Sequence, residues 1–180
     1  LEKLSDLAWA NWDVGDTDTA VELVRRYLDK LDPQRRSLDF ANMILAFEAG
    51  RHGDTDEQRE LLVPLNNFLD RLLASGVDDG RIHAGKAWLS YMLGQEALAL
   101  EHMEKAMFRS VLAVETVTRW YEFAGWEELP EWTALQERHR DYMQAEGAKL
   151  MAMACGPDGF EAWQPSAEAC GRASPPSAPN

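Results

Sequence analysis

The stretch from Leu7 to Leu28, LAWANWDVGDTDTAVELVRRYL, decides the fold. Before Gly15, the apolar residues Leu4, Leu7, Ala8 and Trp12 recur at helical spacing. After it, Ala20, Val21, Leu23, Val24, Tyr27, Leu28 and Leu31 do the same, until Asp32-Pro33 stops the pattern. Gly15-Asp16-Thr17-Asp18 breaks the helix between them, and Asp18 reads as the N-cap of the second helix. Two amphipathic helices joined by so short a turn form an antiparallel hairpin.

The plan recurs along the chain. A helix from about Ser37 to Gly50 is broken at Gly53-Asp54, and another runs from about Asp56 to Ser75, with Pro64 expected to kink it. A third pair covers Gly80 to Leu93 and Glu96 to about Arg109, with Gly94-Gln95 between. Residues 111–124 make a further apolar helix ending at Gly125, and Pro130 opens a long last helix through about Ala154. Alternating β-branched runs are absent, so strands are not expected. Aligned on Gly15, Gly53 and Gly94, which are spaced 38 and 41 residues apart, the segments share small and large positions. Seven residues before each glycine stand Ala8, Ala46 and Ala87; six before stand Trp9, Phe47 and Trp88. Five after stand Ala20, Gln58 and Ala99; nine after stand Val24, Leu62 and Met103. Small residues let two helices approach, and the large ones fill the space around them. One such pair cannot bury both faces, so the pairs stack.

This pattern resembles the tetratricopeptide repeat family. The first segment matches through Leu7-Ala8, Gly15-Asp16, Ala20, Val24, Tyr27-Leu28 and Asp32-Pro33, and the third through Ala87, Gly94, Ala99-Leu100 and Met103-Glu104-Lys105-Ala106. The second is degenerate at Gln58 and Pro64, and the spacings exceed the family's usual 34. The resemblance implies an all-α fold: a right-handed superhelix of about four antiparallel helix pairs over residues 1–155. The repeats fall at about 1–34, 37–76, 79–109 and 110–154, followed by an irregular, Pro/Ser-rich tail over 156–180. It also implies a protein-interaction or regulatory scaffold that binds a protein or peptide or associates with itself. Such arrays often form the C-terminal part of bacterial regulatory or signalling proteins, and a chain opening at Leu1 without an initiator Met reads as a piece of a longer one. The carboxylate grip of chaperone-binding members is not expected. Trp9, Phe47 and Trp88 stand where an amide donor would be, and Ser5, Met43 and Ala84 where lysines would help.

The aromatic row is the most suggestive candidate site. Trp9, Phe47 and Trp88, with Trp12 and Tyr91 three residues before their turn glycines, either line an apolar groove or form core between repeats. A groove would suit a partner helix, a hydrophobic peptide or, in the alternative reading of a small-molecule sensor, an apolar ligand. His52, His83, His102 and His139 form no i, i+4 pair and read as surface or partly buried residues; no metal or other cofactor is expected. Nucleophile motifs and phosphate loops are missing, and Asp78-Asp79 and Glu127-Glu128 look like solvated turn residues, so an enzyme is not expected. Arg25-Arg26, Arg35-Arg36 and Arg138-His139-Arg140 read as charge balance, for example Glu22 with Arg26.

The formal net charge of −13 disfavours nucleic acid and anionic membranes, and no apolar run approaches the length of a membrane span. Cys155 and Cys170 are either two separate thiols or a disulfide pinning the tail. The first implies a cytoplasmic protein, the second an oxidising compartment such as the periplasm.

Overall fold

The computed structural model describes residues 2–109, 126–156 and 170. All regular structure among them is helical. The helices are α1 (Glu2–Asp13), α2 (Thr17–Leu28), α3 (Pro33–Arg36), α4 (Asn42–Arg51), α5 (Thr55–Ala74), α6 (Gly80–Met92), α7 (Glu96–Arg109) and α8 (Pro130–Ala154). A 3₁₀ turn, Trp126–Glu128, precedes the last. The expected helix over 111–124 lies outside the described residues, as does most of the tail.

Three hairpins carry the architecture: α1 on α2, α4 on α5 and α6 on α7. Their turns are the same structure. The N–H of Gly15, Gly53 and Gly94 donates to the carbonyl three residues back, on Trp12, Gly50 and Tyr91, at 2.9–3.0 Å. The next N–H, of Asp16, Asp54 and Gln95, donates to Asn11, Ala49 and Ser90 at 2.8–2.9 Å. This is the Schellman closure of a helix end, and it needs a residue in the left-handed region. The three glycines have φ of 82°, 79° and 72°, where a side chain would be strained. The following carbonyl of Asp16, Asp54 or Gln95 already accepts from Ala20, Gln58 or Ala99, so the next helix begins at once. The N-cap of α2 is therefore Asp16, whose carboxylate accepts from Thr19 N–H, and not Asp18. Asp54 caps α5 in the same way, through Glu57 N–H.

The second hairpin solves the packing problem differently. Where the first and third set an aromatic before the glycine against an alanine after it, Trp12 with Ala20 and Tyr91 with Ala99, the second sets Gly50 against Gln58. A Cβ on Gly50 would lie within about 3.0 Å of the Gln58 carboxamide carbon. The bulk has moved across the hairpin.

Residues 29–41 depart from the expected plan. The helix expected from Ser37 starts at Asn42 instead. Pro33–Arg36 forms one separate turn, capped by Asp32, whose Oδ1 accepts from Gln34 and Arg35 N–H. Asp39 Oδ1 then accepts from Ala41 N–H, and Asn42 Nδ2 donates to the carbonyls of Arg36 and Asp39. Side chains that bond this backbone compete with the helix and hold a bend. In α5 the helix is continuous through Pro64. The carbonyl that proline leaves unpaired belongs to Glu60, which is exposed and can bond water.

The chain divides into two compact units, Leu1–Trp126 and Glu127–Asn180, and α8 lies in the second. In the first unit, α2 packs on α4, α5 on α6, and α4 on α6. One continuous apolar cluster joins Ala8, Trp12, Ala20, Val21, Val24 and Leu28 to Ala41 and Ile44 of the next hairpin. Hairpins thus bury their second faces against each other, each fully buried aliphatic side chain contributing about 1.5–3 kcal/mol. In the second unit, α8 opens on Pro130 as expected. At its end Cys155 is disulfide-bonded to Cys170, the Cα atoms 5.5 Å apart. A bridge spanning 15 residues removes about 3 kcal/mol of loop entropy from the unfolded chain.

Candidate functional site

The aromatic row packs hairpin on hairpin. Trp12 is 0% exposed and Trp88 2%, so these two are core and do not line a groove. Their positions, three and six residues before a turn glycine, face the neighbouring hairpin. Trp12 meets Phe47 edge to face at 5.0 Å, Trp9 meets Trp88 at 5.8 Å, and Tyr91 meets Trp126 at 5.6 Å. Each such pair adds about 0.5–1.5 kcal/mol beyond the area it buries. Trp9, Phe47 and Tyr91 are half-buried and keep an edge toward solvent.

An open concavity lies elsewhere. The end of α2, the turn of α3 and the middle of α5 enclose a cleft of about 520 Å³. Tyr27, Leu31, Leu38 and Phe68 give it apolar walls, and Asp32, Gln34, Arg35 and Asp39 complete its lining. Tyr27 Oη donates to Asp39 Oδ2 at 2.8 Å, which ties the wall to the bend. No residue of the aromatic row lines it. The bend over 29–41 shapes this cleft, and residue patterns alone present that bend as a stop signal and the start of a helix.

The densest chemistry is buried between α5, α6 and α7. His83 and His102 are 4% and 7% exposed, which corrects the expectation of surface or partly buried rings. Their imidazoles stack at 5.2 Å, and the two Nδ1 atoms share a hydrogen bond of 3.0 Å. His83 Nε2 meets Asp78 Oδ1 at 2.7 Å, and Arg109 Nε meets the same oxygen at 2.8 Å. Asp78 is thus no idle turn residue: it ties the α5–α6 connection to both helices of the third hairpin. The bond from His83, then that from Arg109, holds its carboxyl below the usual range. Asp79 beside it caps α6 through Arg81 N–H. One helical turn on, the buried Lys86 ammonium contacts Asp70 Oδ1 at 2.6 Å and donates to Asn66 Oδ1 at 2.7 Å. Burial, followed by the charges of His83, Lys86 and Lys105, pushes His102 down to about 4, against the opposing pull of Glu101.

His83 lies eleven residues before Gly94 and His102 eight after it, which sets them opposite each other across a hairpin. That spacing was the available signal; a search for i, i+4 pairs on one helix passes over it. Among the described residues no group of three or more His, Cys, Asp or Glu could hold a metal ion. The arrangement holds protons and fastens helices. Of the other histidines, His52 is exposed against Glu48, and His139 is half-buried on α8. Glu22 and Arg26 pair at 3.7 Å, in line with charge balance on α2.

No helix among the described residues is long and apolar enough to cross a membrane. No family model, curated protein or solved structure matches the chain.

Proposed function

We propose that the chain is a protein-interaction module of tetratricopeptide type that docks a peptide segment of a partner in the cleft between α2, α3 and α5. The single observation that carries this reading is the cleft itself. It is open, part aromatic, about 520 Å³ in volume, and pre-organised by Asp39, which accepts from Tyr27 Oη and from Ala41 N–H. Pre-organised apolar clefts with polar rims are where binding energy concentrates. The partner segment carries a large apolar side chain flanked by basic residues, since Asp32 and Asp39 line the site and the whole chain has a net charge of −13. The repeated hairpin turn supports the family resemblance and, through it, a superhelical stack. The disulfide supports work in an oxidising compartment such as the periplasm.

The test is affinity capture with the full chain, followed by titration of the partner against the wild type and Phe68→Ala. Phe68 is half-buried and lines the cleft, so the variant should bind at least about tenfold more weakly while still unfolding cooperatively. Equal binding by both proteins removes the cleft from the proposal, and failure to capture any partner removes docking. The cleft volume also suits a small apolar ligand, and a rise in Tm on ligand screening, in the absence of any partner protein, would favour that sensor reading.

A further inference from the structure

We propose that the His83–His102 pair is an acid-sensitive latch that fastens α7 to α6 and releases it when both rings become cationic. The latch follows from proton count. His83 Nε2–H donates to Asp78, so in neutral His83 the Nδ1 is bare and accepts from His102 Nδ1–H. One added proton leaves the bond intact, because a cationic ring donates to a neutral one whichever of them carries the charge. A second added proton sets two N–H groups and two positive charges against each other at 3.0 Å, and the rings must part.

The surroundings put that second proton on a short scale of pH. From the α5–α6 connection, Asp78 Oδ1 accepts from His83 Nε2–H, and the carboxylate of Asp79 is the next charge along. From α6 the charge of Lys86 opposes a cation on His102, although Asp70 of α5 partly neutralises it. From α7 Lys105 opposes it as well, while Glu101 favours it but is already paired to Lys105 at 2.6 Å. Arg109 holds Asp78 from the far end of α7, and Arg81 holds Asp79. Burial is the largest influence, and it keeps His102 neutral down to about 4 while the pair is closed. An opened ring takes its proton near the ordinary 6.5. The open form therefore binds more protons between those values, and acid favours it. The latch is at full strength above about pH 6.5 and is lost as pH falls toward 4. Among the described residues no other histidine is buried, so neither of the other two hairpins holds such a pair.

The experiment uses the full chain. Nitrogen-15 NMR of the imidazoles follows each ring from pH 8 to pH 3.5, and hydrogen exchange, corrected for the intrinsic pH effect, follows the amides of α7 and of α2. The expected result is one imidazole neutral to near pH 4, with α7 protection falling at least about tenfold between pH 6.5 and 4 while α2 holds. His102→Gln should abolish the pH dependence of α7 protection. Two rings titrating near 6.5, α7 protection independent of pH, or the same acid response in His102→Gln would each overturn the proposal. The wild-type ring titration and exchange decide it even if the variant does not fold.

Discussion

Leu7 and Lys86 occupy the same place in two copies of one design, eight residues before the turn glycine. Leu7 is 52% exposed, whereas Lys86 is buried. Residue type predicts the reverse. The difference lies in position within the stack, not in the hairpin. α1 buries one stripe, Ala8 and Trp12, and packs chiefly on α2. α6 touches α4, α5 and α7 and buries Gly80 and every residue from His83 to Ser90. Small residues make this enclosure feasible: a Cβ on Gly85 would stand 2.9 Å from the Phe40 ring. The two ionisable groups that this enclosure takes from water bond instead to neighbours at its edge, His83 to Asp78 and Lys86 to Asp70 and Asn66. A helix with one free face has no such obligation. The repeat sets the backbone, and the neighbours set the chemistry.

The largest effect expected from this contrast belongs to the single stripe of α1. Trp12→Ala should cost about 3–5 kcal/mol in equilibrium urea unfolding, because an enclosed indole leaves a cavity its neighbours cannot fill. Its cluster contains only apolar residues, so the loss should be the same at pH 5 and pH 8. A loss under about 1 kcal/mol would mean that α1 is held by something other than this stripe.

The Leu7–Lys86 inversion can be broken directly. Leu7→Lys should change stability by less than about 0.5 kcal/mol, since the position already faces water. Lys86→Ala should cost about 2 kcal/mol, chiefly from the lost packing of the buried stem. Lys86→Met should stay within about 1 kcal/mol of the wild type, because a well-packed apolar side chain often replaces a buried ion pair without penalty. Asp70, half exposed, regains water when its partner goes. The three values come from one set of denaturation curves. A Lys86→Met loss as large as that of Lys86→Ala would show that the charge, not the stem, holds α6 in place.

How much of this was legible depended on whether the cause was local. Gly15, Gly53 and Gly94 announce their turns because a left-handed residue followed by a helix start is a local requirement, and all three closed as the alignment implied. Helix type and the boundaries of α6 and α7 were legible for the same reason. The N-cap was displaced by two residues because Asp16 and Asp18 are equivalent by composition, and only the hydrogen bond of the turn chooses between them. The bend at 29–41, and with it the cleft, depends on Asp39 bonding the Tyr27 hydroxyl and Asn42 bonding the Arg36 carbonyl, which no periodicity reports. The burial of Trp12, Trp88, His83 and His102 depends on which hairpin lies beside which. Sequence spacing offered groove and core as alternatives for the tryptophans, and stacking decided.

The smallest effect tests whether repeat degeneracy is compensation or decay. Gln58 stands where its counterparts are Ala20 and Ala99, and Gly50 where they are Trp12 and Tyr91. If the two changes offset each other, neither can be reversed freely alone. Gly50→Ala gains about 1 kcal/mol of helix propensity but drives a methyl into the Gln58 carboxamide, so it should come out near zero. Gln58→Ala leaves space beside a glycine and should cost about 0.5–1 kcal/mol. Together they restore two small residues that fit, and the double variant should exceed the sum of the singles by about 0.5–1 kcal/mol. Additivity within about 0.3 kcal/mol would mean that Gly50 and Gln58 do not sense each other. The Gln58 side chain would then be a passenger at the edge of the hairpin, and the second repeat would owe its divergence to the bend that precedes it.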